Sequence, residues 1–355
     1  MSSIKDVAER AGVSYTTVSH VINGTRTVSP ETTERVKSAI AEIGYVPSFT
    51  ARSLRKGRTK TIGVIDAATL DLFFTEVMRT AQLILEESGY SLYFSFCDFP
   101  HEDCSAQQEW FAKKELEYLD QLIARDVDAI IINPINNDRV LEEYLSRVSI
   151  PVVLFQRKLQ GQKNYPVLSD DYAGGYQAAK HLTGLGHRDI AVIYGYSYLS
   201  HAVTMRKKGF DEALREAGIA LPESSWIDGR YDAETSYEKS RTLLTSSNPP
   251  TAIFYYSDTM AIAGLRAAAD LGVRVPRDLS IVGYDDIQFS RFSVPRLTTV
   301  RQDSRVMGKF IGEKVMELIA DNPDDPELKG PAWKEELLPV TLKVRESTAQ
   351  RSSQG

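Results

Sequence analysis

Between Ala11 and Gly24 the chain reads AGVSYTTVSHVING, and the way this stretch divides decides the fold of the N-terminal part. Gly12 ends an amphipathic run in which Ile4, Val7, Ala8 and Ala11 follow the i, i+3, i+4, i+7 spacing of one helix face. Ser14 offers a side-chain oxygen to cap a second helix, whose apolar stripe is Val18, Val21 and Ile22. Downstream, VSPETTERVKSAIAEIGY predicts a third helix: Ser29 caps it, Pro30 takes its first position, Glu31 complements the dipole and Gly44 closes it. Helix, tight turn, helix and a bracing helix form the helix-turn-helix plan.

The stripe on the second helix leaves Tyr15, Thr16, Ser19 and His20 facing away from the core, with Thr17 and Arg26 beside them. Short or planar polar groups near a helix N-terminus are where base edges are read in the major groove, while hydroxyls and backbone N–H groups hold phosphates. A solvated face is the competing reading, but such faces are usually rich in Glu and Lys, and this one has neither. Charge points the same way. Residues 1–60 carry ten Lys and Arg against five acids, in a chain whose net charge is −6. A basic head on an acidic body suits a head that meets a polyanion.

With 355 residues, 42% apolar and 25% charged, the chain is long enough for two or three domains with real cores. MSSIKDVAER has no apolar signal region, and no stretch approaches the ~18 apolar residues of a membrane span, so a cytoplasmic protein is expected. Cys97 and Cys104 are too few for a disulfide framework or a zinc site and read as free thiols.

After Thr61 short apolar runs (TIGVI, YSLYFSF, VDAIIIN, IPVVLFQ) alternate with amphipathic stretches such as FFTEVMRTAQLILEESGY, and a second cycle runs from DIAVIYG through TAIFYYS to LSIVGYD. The alternation predicts two doubly wound parallel-sheet lobes, which hold ligands at the carboxyl ends of their strands. That rule nominates Phe73 and Phe74 after the first strand, Asn133, Gln156, Tyr231 and Asp285, with Arg206 opening a helix. A guanidinium fork, a carboxylate, amides and aromatic faces suit the hydroxyls and ring faces of a sugar. Taken singly, each has a plainer explanation: Phe73 as core, Asp285 as a turn residue, Arg206 as a surface charge.

The segment IKDVAERAGVSYTTVSHVINGTRTVSPETTERVKSAIAEIGYVPS resembles the head of the lactose and galactose repressor (LacI/GalR) family, its TTVSHVIN being most like the purine and ribose repressor versions. The likeness continues through ARSLRKGRTKTIGVI, GVRVPRDLSIVGYDD and PRLTTVRQ. It implies an all-α helix-turn-helix head at 1–47, a hinge helix and linker at 48–60, and a periplasmic-binding-protein-like α/β body at 61–346. The body's lobes would be joined by three crossings, with lobe 1 near 61–160 and 291–322, lobe 2 near 161–290 and 323–346, and a tail at 347–355. Ser48 to Leu54 is too short a helix to be stable alone and is expected to fold on DNA. Ser48, Ala51 and Leu54 would then enter the minor groove of a pseudo-palindromic duplex as a homodimer, Leu54 acting as the apolar wedge. The competing reading of SLRKGRTK is a flexible basic linker.

In the body the resemblance favours Arg206 and Asp285 as effector ligands and Tyr231 as an aromatic wall. Gln156 stands where the family often has an acid, and Ser257, before Asp258, stands where Asn is common; both are retained as candidates. The base-reading positions of the purine repressors fall on Ser200 and Ala202, which disfavours a purine effector. The segment from Cys97 to Asp126 looks longer than the family norm. The tail STAQRSSQG has no apolar heptad, so no coiled-coil tetramer is expected. Two rival functions remain. A solute-binding protein is opposed by the basic head and the missing signal region, and an enzyme by the lack of a G-x-G-x-x-G after the first strand, an H-x-x-x-H or a G-x-S-x-G. No cofactor and no metal are expected.

Overall fold

The computed structural model of the chain describes residues 3–23, 26–45, 58–66, 72–97, 107–134, 138–159, 164–195, 201–320 and 337–351. It divides into two units, Met1–Lys60 and Thr61–Gly355. In the first, helices α1 (Ile4–Ala11), α2 (Tyr15–Asn23) and α3 (Pro30–Ile43) close around Val7, Val18, Val36 and Ala39. Gly12 and Gly44 adopt left-handed φ of 61° and 62°, where a side chain would be strained, and so end α1 and α3 where the sequence predicts. Ser14 Oγ accepts the Thr17 N–H at 3.0 Å as the expected cap, and Ser29 caps α3. A reciprocal cap between Ser3 and Asp6 at the start of α1 was not apparent from apolar spacing.

The second unit holds two six-stranded sheets. Its elements in order are β1 (Thr61–Asp66), α4 (Leu72–Glu87), β2 (Ser91–Phe96), α5 (Gln107–Ala124), β3 (Ala129–Asn133), α6 (Asp138–Leu145), β4 (Val152–Phe155), β5 (Asn164–Ser169), α7 (Asp171–Gly184), β6 (Ile190–Tyr194) and α8 (His201–Glu216). There follow β7 (Trp226–Asp228), α9 (Ala233–Leu244), β8 (Ala252–Tyr255), α10 (Asp258–Asp270), β9 (Ser280–Asp285), β10 (Thr298–Gln302), α11 (Ser304–Ala320), β11 (Leu337–Leu338) and β12 (Val340–Lys343). One sheet runs β11-β5-β4-β3-β1-β2, all parallel; the other runs β12-β10-β9-β8-β6-β7, with only β12 antiparallel. Strands buried on both faces are near-continuous runs of Ile, Val and Phe, as in AIIIN and VVLF, because helices cover each side.

The three crossings fall at Ser169–Asp171, Gln302–Ser304 and Leu338–Val340. This moves the lobe boundaries expected at 160, 291 and 323. Strand β5 carries Pro166 and few apolar residues, and β10 is rich in polar ones; neither stands out by hydrophobicity, yet β5 pairs with β4 and β10 with β9. Thr298 and Thr299 of β10 are fully buried because their polar atoms are satisfied internally. Residues 347–351 are likewise not a tail. Ser347 Oγ donates to Ile281 O at 2.6 Å, Ile281 N donates back to Ser347 O, and His187 Nε2 lies 2.9 Å from Ser280 Oγ and 3.1 Å from Ala349 O.

Candidate DNA-reading helix and effector cleft

In the head, Tyr15 and Thr16 are exposed on α2, Thr17 and His20 are half-buried, and Arg26 is exposed beyond it. Ser19 departs from expectation: it is buried, because it stands three residues before Ile22 and so lies on the flank of the apolar stripe. The Thr17 hydroxyl bonds to Ser14 Oγ at 2.8 Å, which gives it a share in the cap. The hinge candidates Ser48, Ala51 and Leu54 lie outside the described residues.

In the body, the cleft chemistry is built by a close crossing of α7 and α8. A Cβ on Gly175 would stand 2.0 Å from the Arg206 carbonyl oxygen, and one on Gly209 would stand 1.9 Å from that of Tyr172. Only glycines allow the two backbones to approach so nearly, and the approach brings Asp171 of α7 against Arg206 of α8. Arg206 Nε donates to Asp171 Oδ1 at 2.7 Å and Nη1 to the Tyr256 carbonyl at 2.6 Å. The guanidinium also lies 3.6 Å from the centroid of the Tyr284 ring, whose hydroxyl donates to Asp171 Oδ1 at 3.0 Å. The side chains of this ion pair are 5% and 0% exposed. Burial opposes the guanidinium charge, but Asp171, then Tyr284, Tyr231 and Asp285, outweigh it and hold the Arg206 pKa above its usual value.

A second constellation spans the lobes. Gln156, just past β4, donates from Nε2 to Gln302 Oε1 at 2.6 Å, and Gln302, the last residue of β10, donates from Nε2 to Asp285 Oδ1 at 2.7 Å. The donor of one amide meets the acceptor of the next, so the chain of bonds runs in one direction from the first lobe to a carboxylate of the second. Backbone strain gathers at the same level. Of the seven non-glycine residues with positive φ among the described residues, five follow or end strands at their carboxyl ends: Gln156, Arg230, Tyr231, Asp285 and Asp286. Each such residue costs about 1–3 kcal/mol unless its surroundings hold it. Asp286 is held by ion pairs to Arg291 and Arg345, and Asp285 by Gln302.

Against known proteins, residues 3–48 match the model of bacterial regulatory proteins of the lacI family, and residues 179–348 match a periplasmic binding protein-like domain. The chain is 35% identical over 346 residues to the HTH-type transcriptional repressor PurR of Glaesserella parasuis, covering 98% of this chain and 95% of that one. It belongs to the lacI family. A PurR repressor of Haemophilus influenzae is 38% identical over 311 residues, 87% of this chain and 88% of the relative. Among solved structures, the lac repressor dimer bound to operator and the anti-inducer ONPF superposes with a TM-score of 0.80 at 27% identity, covering 98% and 99% of the two chains. A lacI-family regulator from Enterococcus faecium with bound ribose gives 0.68 at 29%, covering 82% and 99%.

This lacI-family chain is therefore a DNA-binding transcriptional regulator under effector control, and not an enzyme. Of its expected effector residues, the structure brings together Gln156, Arg206 and Asp285, with Tyr231 packed on Gly195 at the end of β6. The others have packing, capping or bonding roles. Phe73 and Phe74 are buried in the first lobe's core, their rings 6.0 and 4.8 Å from that of Phe155, because α4 already begins at Leu72 and turns them inward. Asn133 donates to Asp66 Oδ1 at 3.0 Å within the first lobe. Ser257 caps α10. Asp258 is an internal brace: its oxygens accept from Thr299, Ser290 and the Ile287 N–H, and its carboxyl is fully buried. Burial pushes its pKa up to about 7 against the lowering effect of those three donors.

Three participants were missed. Gln302 was hidden because its strand reads as polar, whereas the rule that named Asp285 applies equally to it. Asp171 follows Asp170, which caps α7 alone by accepting the Ala173 N–H, so the second acid of SDDYAGG was the one left for another task. Tyr284 reaches beneath Arg206 because Gly174 leaves room; a Cβ there would stand 2.2 Å from the Tyr284 hydroxyl. Among the described residues no metal-holding cluster of His, Cys, Asp or Glu occurs, and no helix is long and apolar enough to cross a membrane.

Proposed function

We propose that the chain represses transcription in the cytoplasm by binding a near-palindromic DNA operator as a homodimer, and that a small sugar or sugar derivative held between the two lobes releases it. Tyr15, Thr16, His20 and Arg26 would meet the duplex, with Ser48, Ala51 and Leu54 serving the hinge. The gathering of strained strand-end residues around Arg206 and the Gln156–Gln302–Asp285 chain carries the reading. An effector hydroxyl that donates to Asp285 competes with Gln302 for the carboxylate, so ligation alters the bonds that hold one lobe to the other. Two exposed apolar surfaces suit a second copy: the edge strand β2, with Tyr93, Phe94 and Phe96, and the ridge of Phe289 and Phe292.

The decisive experiment is a thermal-shift screen of sugars and nucleobases, followed by operator binding with and without the hit. A ligand at about 100 times its dissociation constant stabilises by about 2.7 kcal/mol. A sugar that shifts the protein and lowers operator affinity supports the reading; a nucleobase that does so in its place overturns the sugar. Asp285→Ala is expected to lose the ligand response and keep operator binding.

A further inference from the structure

The Arg206 guanidinium is the cation that a ligand in this cleft would meet, and its charge is already matched. It shares a 2.7 Å ion pair with Asp171 out of contact with solvent, and its second bond goes to a backbone carbonyl. The chain of side-chain hydrogen bonds at this level joins the Asp285 carboxylate to the neutral amides of Gln302 and Gln156. Arg157, next along the chain from Gln156, is itself buried and has an interaction of its own. Among the groups these hydrogen bonds join, Arg206 is one cation against the two carboxylates Asp171 and Asp285; Asp286, next to Asp285, is paired with Arg291 and Arg345. Two buried polar atoms beside the pair, Asp171 Oδ2 and the Tyr256 hydroxyl, have no hydrogen-bond partner among the described residues.

We propose that the cleft selects an uncharged, hydroxyl-bearing effector and rejects the phosphorylated or carboxylated form of the same molecule. This rests on the reading that the cleft between the lobes is the effector site. An incoming anion faces Asp285 and can claim Arg206 only by drawing it from Asp171, which leaves a carboxylate buried and unpaired. A fully ionised phosphate group offers acceptors alone and cannot satisfy Asp285, whereas a hydroxyl donates to it. Asp171 thus acts as the specificity-determining residue, by neutralising Arg206 from the side away from the ligand.

Calorimetric titration of the full chain with ribose, glucose and cellobiose, and with ribose 5-phosphate, glucose 6-phosphate and glucuronate, tests this. Inorganic phosphate serves as a bare anion probe. The parent sugar is expected to bind at least about a hundredfold more tightly than its anionic form. Asp171→Asn, which keeps the shape and removes the charge, is expected to narrow that ratio at least about tenfold and to create a saturable phosphate site that Arg206→Gln abolishes. A wild-type protein that binds the anionic sugar more tightly overturns the proposal while leaving the sugar reading intact. So does saturable phosphate binding to the wild type that Arg206→Gln removes, or an Asp171→Asn variant that gains no anion binding. If hypoxanthine binds and no sugar does, the sugar reading fails, and the same comparison between inosine and inosine monophosphate decides the charge rule.

Discussion

The two lobes have sheets of the same size and nearly the same strand order, yet they place different chemistry at their strand ends. The second lobe buries charges: Arg206 with Asp171, Asp258 with three donors, and Asp285 beside Gln302. The first lobe's strand ends carry the amides Gln156 and Asn133, Ser169, and one buried carboxyl, Asp66, which accepts from Asn133. Strand order follows from the apolar pattern, which the lobes share; strand-end residues are set by the ligand and can differ freely. The second lobe, with a buried ion pair and a buried carboxyl whose pKa is raised, should therefore show the larger response to charge removal and to pH.

The largest effect is expected from Asp171→Ala. Removing one member of a buried ion pair leaves Arg206 unmatched and costs about 3–5 kcal/mol in chemical denaturation, whereas the double replacement Arg206→Met, Asp171→Leu should recover most of it. A single variant as stable as the wild type would mean that the charge is not buried as the geometry indicates, and the contrast between lobes would fall.

Titration of Asp258 comes next. Its carboxyl has a pKa of about 7 when folded against an ordinary value of 3.8, so between these the folded chain binds the extra proton. Stability from this group is present below about pH 4, falls as pH rises towards 7 and is flat above, at roughly 1.4 kcal/mol per unit of pH. Asp258→Asn keeps an acceptor for Ser290 and Ile287 and removes the titration. Its stability relative to the wild type should grow from about pH 5 to about pH 7, by roughly 2–3 kcal/mol. A constant difference across that range would place the ionised form in the native state throughout.

The sequence made the head legible almost residue by residue, because each helix is local: its cap and stripe, and for α1 and α3 the closing glycine, lie within sixteen residues or fewer. The alternation of strands and helices was legible for the same reason. The cleft was legible only where a strand announced itself by hydrophobicity, as IVGYD did for Asp285. Gln302 closes a strand whose buried threonines look like surface residues until their partners, Asp258 and the Ser347 segment, are brought in from 40 or more residues away. Phe73 and Phe74 misled for the converse reason. An aromatic pair after a strand can face a ligand or a core, and the choice belongs to where α4 begins. Asp171 and Arg206 are 35 residues apart, and their meeting depends on glycines on both helices.

Between the lobes, Gln302→Leu removes the donor to Asp285 and the acceptor for Gln156 in one step. The loss is expected to be about 1–3 kcal/mol, the cost of leaving a buried polar group without its bond. Ligand titration should show it more clearly than denaturation: with Gln302 absent, an effector hydroxyl meets Asp285 without a competitor, so affinity rises while the effect of ligand on operator affinity shrinks. An unchanged coupling would show that the amide chain holds the lobes without informing either one.

The smallest effect belongs to the first lobe. Asn133 donates one hydrogen bond to Asp66 Oδ1, and Asn133→Ala removes it. The loss is expected to be about 1 kcal/mol, the net contribution of one hydrogen bond. A loss as large as that of Asp171→Ala would mean that the first lobe depends on its buried carboxyl as the second does on its ion pair, and that the amides at its strand ends support an electrostatic site of their own.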